Sequence, residues 1–257
     1  MIKAAFFDID GTLLSFKTHR IPDTALEALS AARRNGVKLF LATGREPKMM
    51  AFINEFFDFD GAVGFNGGYA FDKTGVLHNA PLAPEAVLSA FKYFQERQIA
   101  STFEALEETR FNLITDQVRE LLAFVGATVP ETTADEIFLK QDIYQMSVFL
   151  SPQEEKDFIS RFPDYRTMRW TDAFANVISR TGGKSTGIAK VCEKYDIART
   201  EIMAFGDGGN DTDMLKFAGI GVAMGNAGDD VKAAADYVTS SVDEDGIYNA
   251  LKHFEVI

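Results

Sequence analysis

Two carboxylates stand two residues apart where the first buried segment of the chain ends. The apolar run over residues 2–7, interrupted by Lys3 alone, predicts a strand covered on both faces, and Asp8 and Asp10 follow it directly. Gly11 then lets the backbone turn sharply. Because side chains two residues apart on an extended segment point to the same side, two like charges would share one small volume. A cation or a proton is needed to relieve their repulsion.

A second acidic cluster follows a later predicted strand, at residues 201–205. It lies in the glycine-rich segment 206–211, which enters a helix. The carboxyl ends of parallel strands share one edge of an open α/β sheet, and binding sites form there. Oxygen ligands from several carboxylates suit Mg²⁺. We therefore expect one magnesium site at this edge, built from Asp8, Asp10, Asp207 and Asp211.

Two further groups at the ends of elements could hold an anion beside these carboxylates. Thr43 directly follows the strand predicted over residues 37–42 and offers a hydroxyl, and Gly44 after it offers a backbone N–H. Lys184 starts a predicted helix directly after two glycines, a position that favours an anion. Carboxylates, Mg²⁺, one lysine and one hydroxyl are the groups that stabilise spread negative charge on phosphorus. The sequence therefore predicts a phosphoryl-transfer site.

The elements that must position these residues alternate between strands and helices at both ends of the chain. Such alternation predicts right-handed crossovers and an α/β fold, a Rossmann-like doubly wound parallel sheet. In the middle of the chain, pairs of strand-like runs separated by helices predict an α+β module with an antiparallel sheet. We therefore expect a core domain over residues 1–81 and 182–257, with an inserted domain over residues 82–181.

The composition narrows the classes of protein to which the chain can belong. Its 257 residues are 46% hydrophobic, enough to bury a substantial core. A net charge of −12 argues against general binding to nucleic acid or to anionic membranes. The single cysteine, Cys192, excludes an internal disulfide and fits a reducing compartment. The first apolar run is too short for a signal peptide or a membrane span. We expect a soluble cytoplasmic protein.

Four segments, in order, resemble the motifs of the haloacid dehalogenase-like (HAD) phosphatase superfamily. Residues 8–14 resemble motif I, residues 42–45 motif II, Lys184 motif III and residues 206–211 motif IV. The insertion lies between motifs II and III, as in members with the large type IIB cap. Residues 244–247, before the last predicted helix, look like the Cof-type branch. Single motifs of this kind are weak, but their joint occurrence across the whole chain is specific.

The resemblance implies a Mg²⁺-dependent phosphatase that acts on small phosphorylated metabolites, such as sugar phosphates, through an aspartyl-phosphate. Asp8 would be the nucleophile, and Asp10 would protonate the leaving oxygen and then accept a proton from water. Mg²⁺ would be held by the carboxylates of Asp8 and Asp207 and by the backbone carbonyl of Asp10. Asp211 would coordinate the ion as well or lie directly behind these ligands. Arg45 would bind substrate or form an ion pair at the domain interface. The groups contacting the transferring phosphoryl would be Thr43, Gly44, Lys184 and Asn210.

Simpler interpretations of these residues remain open at this point. A lone D-x-D at a strand end is more often a turn or a helix cap than a catalytic pair. Residues 58–61 repeat the D-x-D-G spelling in what the pattern predicts to be a loop. Asn66-Gly67 is most simply a tight turn, although the family often has Asn-Gly near the substrate. The three histidines are scattered, which argues against a histidine nucleophile or a histidine metal site.

Two other functions would use a similar set of residues. A phosphomutase or phosphotransferase of the same superfamily shares the core and the cap type, but Asp10 and the Cof-like ending favour hydrolysis. A phospho-accepting signalling module, similar to response-regulator receiver domains, also combines aspartates, Mg²⁺, a threonine and a lysine. Receivers are far shorter and have no inserted domain. Hydrolysis is therefore the favoured prediction.

Overall fold

Contacts between residues divide the chain into two units in the computed structural model, which describes residues 1–124, 129–130, 133–169 and 174–257. The first unit comprises Met1–Asn79 with Gly182–Ile257, and the second comprises Ala80–Thr181. Among the described residues, no helix has the length and apolar character needed to cross a bilayer.

Short strands and helices alternate along the described chain. The strands are β1 (Ala4–Phe7), β2 (Lys38–Ala42), β3 (Gly61–Gly64), β4 (Tyr69–Asp72), β5 (Gly75–Asn79), β6 (Thr102–Glu104), β7 (Thr109–Phe111), β8 (Met146–Val148), β9 (Tyr165–Met168), β10 (Ala175–Ser179), β11 (Ile202–Gly206), β12 (Ile220–Ala223) and β13 (Tyr237–Val238). The α-helices are α1 (Asp23–Arg34), α2 (Pro47–Met50), α3 (Pro84–Glu96), α4 (Asp116–Phe124), α5 (Pro152–Arg161), α6 (Lys184–Tyr195), α7 (Thr212–Phe217), α8 (Asp229–Lys232) and α9 (Gly246–His253).

The first unit is an open eight-stranded sheet in which β1 is central. The strand order is β13-β12-β11-β1-β2-β3-β4-β5. Strands β13 to β3 in this order run parallel, and β4 and β5 extend the sheet as antiparallel neighbours. The register pairs Phe7 with Phe205 on β11 and with Leu41 on β2. The carboxyl ends of β11, β1 and β2 therefore lie side by side, which confirms the doubly wound α/β core.

Alternation along β1 explains why its residues are all apolar. Ala5 and Phe7 belong to a core cluster with residues of α1 and α9, whereas Ala4 and Phe6 belong to a cluster with residues of α6 and α7. The Phe7 ring stacks on that of Phe205 at 4.7 Å, and the Phe6 ring stacks on that of Phe40 at 5.1 Å. A strand covered by helices on both faces must be apolar at every position, because side chains alternate between the faces.

The second unit is an α+β module with its own core. Strands β8, β10 and β9 form an antiparallel sheet in that order, and β6 pairs antiparallel with β7. Single antiparallel bridges join Ser101 to Val148 and Glu104 to Gln145. Helices α3 and α5 contribute Phe94 and Phe158 to this core, with the two rings stacked at 5.0 Å. The predicted antiparallel α+β insertion is confirmed.

Several boundaries differ from the sequence prediction. The helix predicted over residues 46–57 ends at Met50 and continues as a 3₁₀ helix over Ala51–Glu55. Strand β5 was not predicted, because it is an exposed edge strand without an alternating apolar pattern. The predicted helix 117–125 and strand 165–170 end at Val125 and Trp170, which lie outside the described residues.

Candidate active site

Asp8 continues the central strand one residue beyond β1. Its backbone N–H donates to the carbonyl of Phe205 on β11 (2.9 Å), so this hydrogen bond fixes the Asp8 backbone at the edge of the sheet. The residue is buried, with 7% exposure. Burial raises the pKa of the Asp8 carboxyl well above its usual range; Lys184 opposes this rise, and the charges of Asp211 and Asp207 add to it.

Gly11 brings the turn after β1 against the second acidic segment. Its φ of +82° lies in the left-handed region. A Cβ at this position would lie 2.1 Å from Oδ2 of Asp207 and 2.7 Å from the ring of Phe16. Both the backbone conformation and the close approach therefore require glycine here. The D-x-D-G spelling thus has a local structural cause: the turn can reach Asp207 only without a side chain.

Asp207 and Asp211 lie in the turn that follows β11. Oδ2 of Asp211 accepts the backbone N–H groups of Asp207 (2.9 Å) and Gly208 (2.8 Å), which folds the glycine-rich segment around this carboxylate. Thr12 donates its hydroxyl to Oδ1 of Asp207 (2.8 Å). Burial, followed by the charge of Asp211, raises the pKa of Asp207 to about 7. The carboxylate of Asp207 is therefore half-buried, and Thr12, a residue outside this turn, holds it in place.

Asp8, Asp207 and Asp211 form one cluster. Each offers a carboxylate oxygen, and these oxygens lie within 4.8 Å of one another. Lys184 is the cation in contact with two of them, which leaves two negative charges uncompensated when all three carboxyls are ionised. Repulsion and burial then disfavour ionisation unless further positive charge arrives. A cluster of oxygen donors with this excess charge can hold a divalent cation.

Lys184 is the first residue of α6, and its side chain is completely buried. Its Nζ donates to Oδ1 of Asp8 at 2.6 Å and also to Oδ1 of Asp211. Burial alone would lower the pKa of this ammonium group, but the charges of Asp211 and Asp8 outweigh burial and raise it. The start of α6 is held in place by Asp213, whose Oδ2 accepts both the backbone N–H and the hydroxyl of Ser185 (3.1 and 2.7 Å).

A second line of contacts joins the ends of β2, β3 and β11. Asn66 is buried in the left-handed conformation (φ 49°), which its short polar side chain tolerates. Its backbone N–H donates to the carbonyl of Thr43 (3.0 Å), and its Oδ1 accepts from Nδ2 of Asn210 (3.0 Å). A Cβ on Gly44 would lie 3.0 Å from Nδ2 of Asn66. The structure therefore brings Thr43, Gly44 and Asn210 together around Asn66, whose most direct interpretation from sequence was a simple turn.

The Asp10 side chain lies apart from the three-carboxylate cluster, in an ion pair with Arg45. Nε of Arg45 donates to Oδ2 of Asp10 and Nη2 of Arg45 donates to Oδ1, both at 2.8 Å. This is a two-bond fork, with 26% of the Arg45 side chain and 30% of the Asp10 side chain exposed. The sequence predicts that Asp10 belongs to the magnesium site, and that Arg45 binds substrate or forms an ion pair at the domain interface. In the structure the two are partners within the first unit.

Asn226 is a site residue that sequence reasoning missed. Its Nδ2 donates to the carbonyl of Gly11 (2.9 Å) and to Oδ2 of Asp207 (3.2 Å), and its Oδ1 accepts from the backbone N–H of Val242 (3.0 Å). Together with Thr12, it holds both oxygens of Asp207. The available signal was its position just beyond the carboxyl end of β12, the same kind of position that pointed to the aspartates.

The second D-x-D-G sequence, at residues 58–61, lies outside this site. Asp60 accepts from the backbone N–H of Leu39 (2.8 Å) and from Arg33 (3.2 Å), and Asp58 pairs with Lys73. The segment is a loop that precedes β3 at its amino end, as predicted. Strand-end position therefore separates the two copies, although their spelling is the same.

Comparisons with known proteins agree with the fold and the motif order. A sequence model of the haloacid dehalogenase-like hydrolase family matches residues 5–251. The YkrA protein of Bacillus subtilis (strain 168) is 33% identical over 258 residues, which cover 99% of this chain and 98% of YkrA. The solved structure of the HAD subclass IIB sugar phosphatase BT4131 has a TM-score of 0.91 and 39% identity, covering 99% of this chain and 100% of that one. The solved structure of BT1666 from Bacteroides thetaiotaomicron, a phosphatase of the same superfamily, has a TM-score of 0.94 and 35% identity. It covers 100% of this chain and 96% of that one.

These matches extend over almost the whole chain, so the resemblance carried by the four motifs is confirmed. They also identify the chain as a phosphoric monoester hydrolase and set aside the receiver-like signalling module. The chain therefore belongs to the haloacid dehalogenase-like hydrolases, in their Cof-type phosphatase branch.

Proposed function

We propose that this enzyme is a Mg²⁺-dependent phosphatase that hydrolyses small phosphorylated metabolites, sugar phosphates first among them, through phosphorylation of Asp8. The observation that carries the proposal is the cluster of Asp8, Asp207 and Asp211 around the buried ammonium of Lys184. The similarity to a sugar phosphatase at 39% identity supports the substrate class.

The carboxylate cluster fits a hard divalent cation. Asp8 and Asp207 would hold Mg²⁺ together with the backbone carbonyl of Asp10. Asp211 would stand behind them, since its oxygens already accept two backbone N–H groups and the ammonium of Lys184. Bound there, Mg²⁺ would neutralise charge on the phosphoryl oxygens and on the carboxylates.

The reaction would proceed in two displacements at phosphorus. In the first, a carboxylate oxygen of Asp8 bonds to phosphorus, the bond from phosphorus to the ester oxygen breaks, and Asp10 gives its proton to that oxygen. In the second, a water oxygen bonds to phosphorus, Asp10 takes a proton from this water, and the bond from phosphorus to Asp8 breaks. Inorganic phosphate leaves, and both aspartates return to their starting protonation states.

The other residues at the sheet edge would bind and orient the phosphoryl group. Lys184 keeps its charge and would face the oxygens next to Asp8. Thr43, Gly44 and Asn210 lie around Asn66. The Thr43 hydroxyl, the Gly44 N–H and the Asn210 amide would donate to the remaining oxygens. These preorganised donors lower the barrier because they need not rearrange as charge develops.

We propose that residues 82–181 form a cap domain that selects the leaving group and excludes water, and that residues 1–81 and 182–257 form the core domain. A variant in which residues 83–181 are replaced by a short linker tests this assignment. We expect it to lose discrimination among phosphate esters while still hydrolysing an activated ester. Unchanged selectivity would contradict the cap assignment.

The setting of the reaction is part of the same proposal. We place the enzyme in the cytoplasm, where its one cysteine stays a thiol, and burial raises the pKa of this Cys192 thiol to about 11. Its partner is a small phosphorylated metabolite. A net charge of −12 disfavours association with nucleic acid or with an anionic membrane surface.

Hydrolysis of a panel of sugar phosphates, nucleotides and cofactor phosphates tests the function directly. We expect many turnovers per enzyme with Mg²⁺, the highest kcat/KM on sugar phosphates, and no turnover after addition of a chelator. Asp8→Asn should abolish hydrolysis of every ester, because it removes the nucleophile. If purified Asp8→Asn retains wild-type activity, the proposed mechanism is wrong.

A further inference from the structure

The fork between Arg45 and Asp10 is a feature that a free acid–base carboxylate does not require. Two parallel N–H···O bonds of 2.8 Å fix both the position and the plane of the carboxylate. Within the part of the chain that the structure describes, Arg45 is the residue that hydrogen-bonds this side chain. The orientation of Asp10 therefore depends on Arg45.

Arg45 is itself anchored to the segment that follows β2. Its backbone N–H donates to Oγ1 of Thr43 (3.2 Å), and its Nη1 donates to the carbonyl of Met49 (3.3 Å). Its guanidinium lies over the ring of Phe52, 5.3 Å from the centroid. A planar guanidinium held at its edge and on its face has little freedom to turn. Because Arg45 is fixed at the end of β2, its fork also fixes the carboxylate of Asp10.

The fork does not block proton transfer. An ionised carboxylate has about four lone-pair positions, and a two-bond fork uses two of them. Each oxygen of Asp10 keeps a free lone pair for the proton that it gives to the leaving oxygen or takes from water. The guanidinium meanwhile holds the group in one orientation, so that little ordering is needed when the proton moves.

We infer that Arg45 is a positioning residue, which orients Asp10 for proton transfer and does not bind the transferring phosphoryl group. The inference rests on the proposed acid–base role of Asp10. The inference predicts different effects of Arg45 on two kinds of phosphate ester. A sugar phosphate expels a strongly basic alkoxide that needs the proton of Asp10, whereas p-nitrophenyl phosphate expels a stable phenolate that does not. Loss of Arg45 should therefore slow phosphorylation of Asp8 by the first ester far more than by the second.

The chain supplies a matched control in its second D-x-D-G sequence. Arg33 donates to Oδ2 of Asp60 (3.2 Å) and to the carbonyl of Asp58 (2.6 Å), and it lies 4.5 Å from the ring centroid of Phe57. It thus has an aspartate, a carbonyl and an aromatic face as partners, as Arg45 has, but it lies outside the active site. Arg33→Ala removes comparable contacts without touching Asp10.

The experiment measures single-turnover release of the leaving group with enzyme in excess over glucose 6-phosphate or p-nitrophenyl phosphate. The variants are Arg45→Ala, Arg45→Lys, Arg33→Ala, Asp10→Asn and the double variant with Arg45→Ala and Asp10→Asn. Arg45→Lys keeps a positive charge but cannot form the fork. Thermal unfolding of each variant checks that the variant is folded.

We expect Arg45→Ala and Arg45→Lys to slow release of glucose by about 100-fold, within the range of general acid catalysis, and to leave release of p-nitrophenol nearly unchanged. Arg33→Ala should match the wild type. In the Asp10→Asn background, Arg45→Ala should add no further loss, because the two residues act through one group.

Equal slowing of both esters, with a higher enzyme concentration needed to reach the half-maximal rate, would overturn the inference and make Arg45 a phosphoryl ligand. A full further loss in the Asp10→Asn background would also overturn it. If Asp10→Asn itself slows both esters equally, the acid–base role in the proposed function is wrong. That outcome is distinct from a failure confined to Arg45.

Discussion

Lys184 places its ammonium nitrogen 2.6 Å from Oδ1 of Asp8, at a point where its own side chain has no exposure to solvent. The same nitrogen donates to Asp211, so one buried cation joins the end of β1 to the turn after β11. A buried charge is tolerated only when it is paired and hydrogen-bonded. The proposed nucleophile is thus part of an ion network on which the stability of the first unit depends.

Replacing Lys184 by Met should lower the free energy of unfolding by about 3–5 kcal/mol, because Asp8 and Asp211 would remain buried without their cation. Urea denaturation in the presence of a chelator measures this change. The matched control is Lys190→Met, which removes an exposed pair with Glu193 (2.7 Å) on the same helix. That change should cost less than about 1 kcal/mol. Equal effects of the two substitutions would contradict the proposed network.

The stability of the metal-free enzyme should fall as the pH rises from about 5 to about 8. Asp207 has a pKa of about 7 in the fold, against an ordinary value of 3.8. A carboxyl whose pKa is raised by folding contributes stability that is complete below the unfolded pKa and is lost as the pH rises through the folded one. The thermal midpoint measured with a chelator tests this sign.

Two comparisons assign this pH effect to the cluster. Asp207→Asn cannot ionise at this position, so its thermal midpoint should vary less with pH than that of the wild type. Mg²⁺ should raise the midpoint of the wild type strongly near pH 8 and little near pH 5, where protons compete for the carboxylates. A metal-free wild type that gains stability over this pH range would refute the expectation.

The site residues that could be predicted from sequence are those next to a strand end, a helix start or a glycine turn. Asp8 and Asp207 could be found because each lies at the end of an apolar strand with a glycine within the next three residues. Lys184 could be found because it opens a helix after two glycines. The carboxyl ends of parallel strands then bring these signals to one edge without any further information. The family resemblance added roles, which spacing alone does not supply.

The contacts that escaped prediction join residues far apart in sequence. Arg45 and Asp10 are separated by 35 positions, and Asn226 and Gly11 by 215. Nothing local shows that the Arg45 side chain turns toward Asp10 instead of toward substrate. The left-handed conformation of Asn66 was likewise hidden, because Asn-Gly suits a simple turn equally well. Side-chain direction depends on packing between elements, which the order of motifs does not encode.

Asn226→Ala should weaken binding of Mg²⁺ by about 10- to 100-fold, because outer groups of this kind orient metal ligands. The substitution removes the donor that holds Oδ2 of Asp207 and leaves the carboxylate itself in place. Calorimetric titration with Mg²⁺ measures the affinity without relying on turnover. Asn35→Ala is the control, since Nδ2 of Asn35 donates to the carbonyl of Val256 (2.8 Å), away from the carboxylates. Unchanged Mg²⁺ affinity in Asn226→Ala would leave this residue a purely structural role.

Gly67→Ala should impair both folding stability and hydrolysis, whereas Gly36→Ala should cost stability alone. Both glycines have φ in the left-handed region, +101° and +85°, so each alanine carries a backbone strain of roughly 1–2 kcal/mol. Their surroundings differ. A Cβ on Gly67 would lie 1.8 Å from the carbonyl oxygen of Gly183, directly before Lys184, and a Cβ on Gly36 would meet no atom within 4 Å.

The overlap at Gly67 must push the start of α6 away from the sheet, which adds about 1–3 kcal/mol to the strain and displaces the ammonium of Lys184 from Asp8. Denaturation curves and kcat measured on the two variants separate these effects. We expect Gly36→Ala to keep the wild-type kcat and Gly67→Ala to lose most of it, even under conditions where the variant is fully folded. A folded Gly67→Ala enzyme with wild-type kcat would show that the position of Lys184 does not depend on this contact.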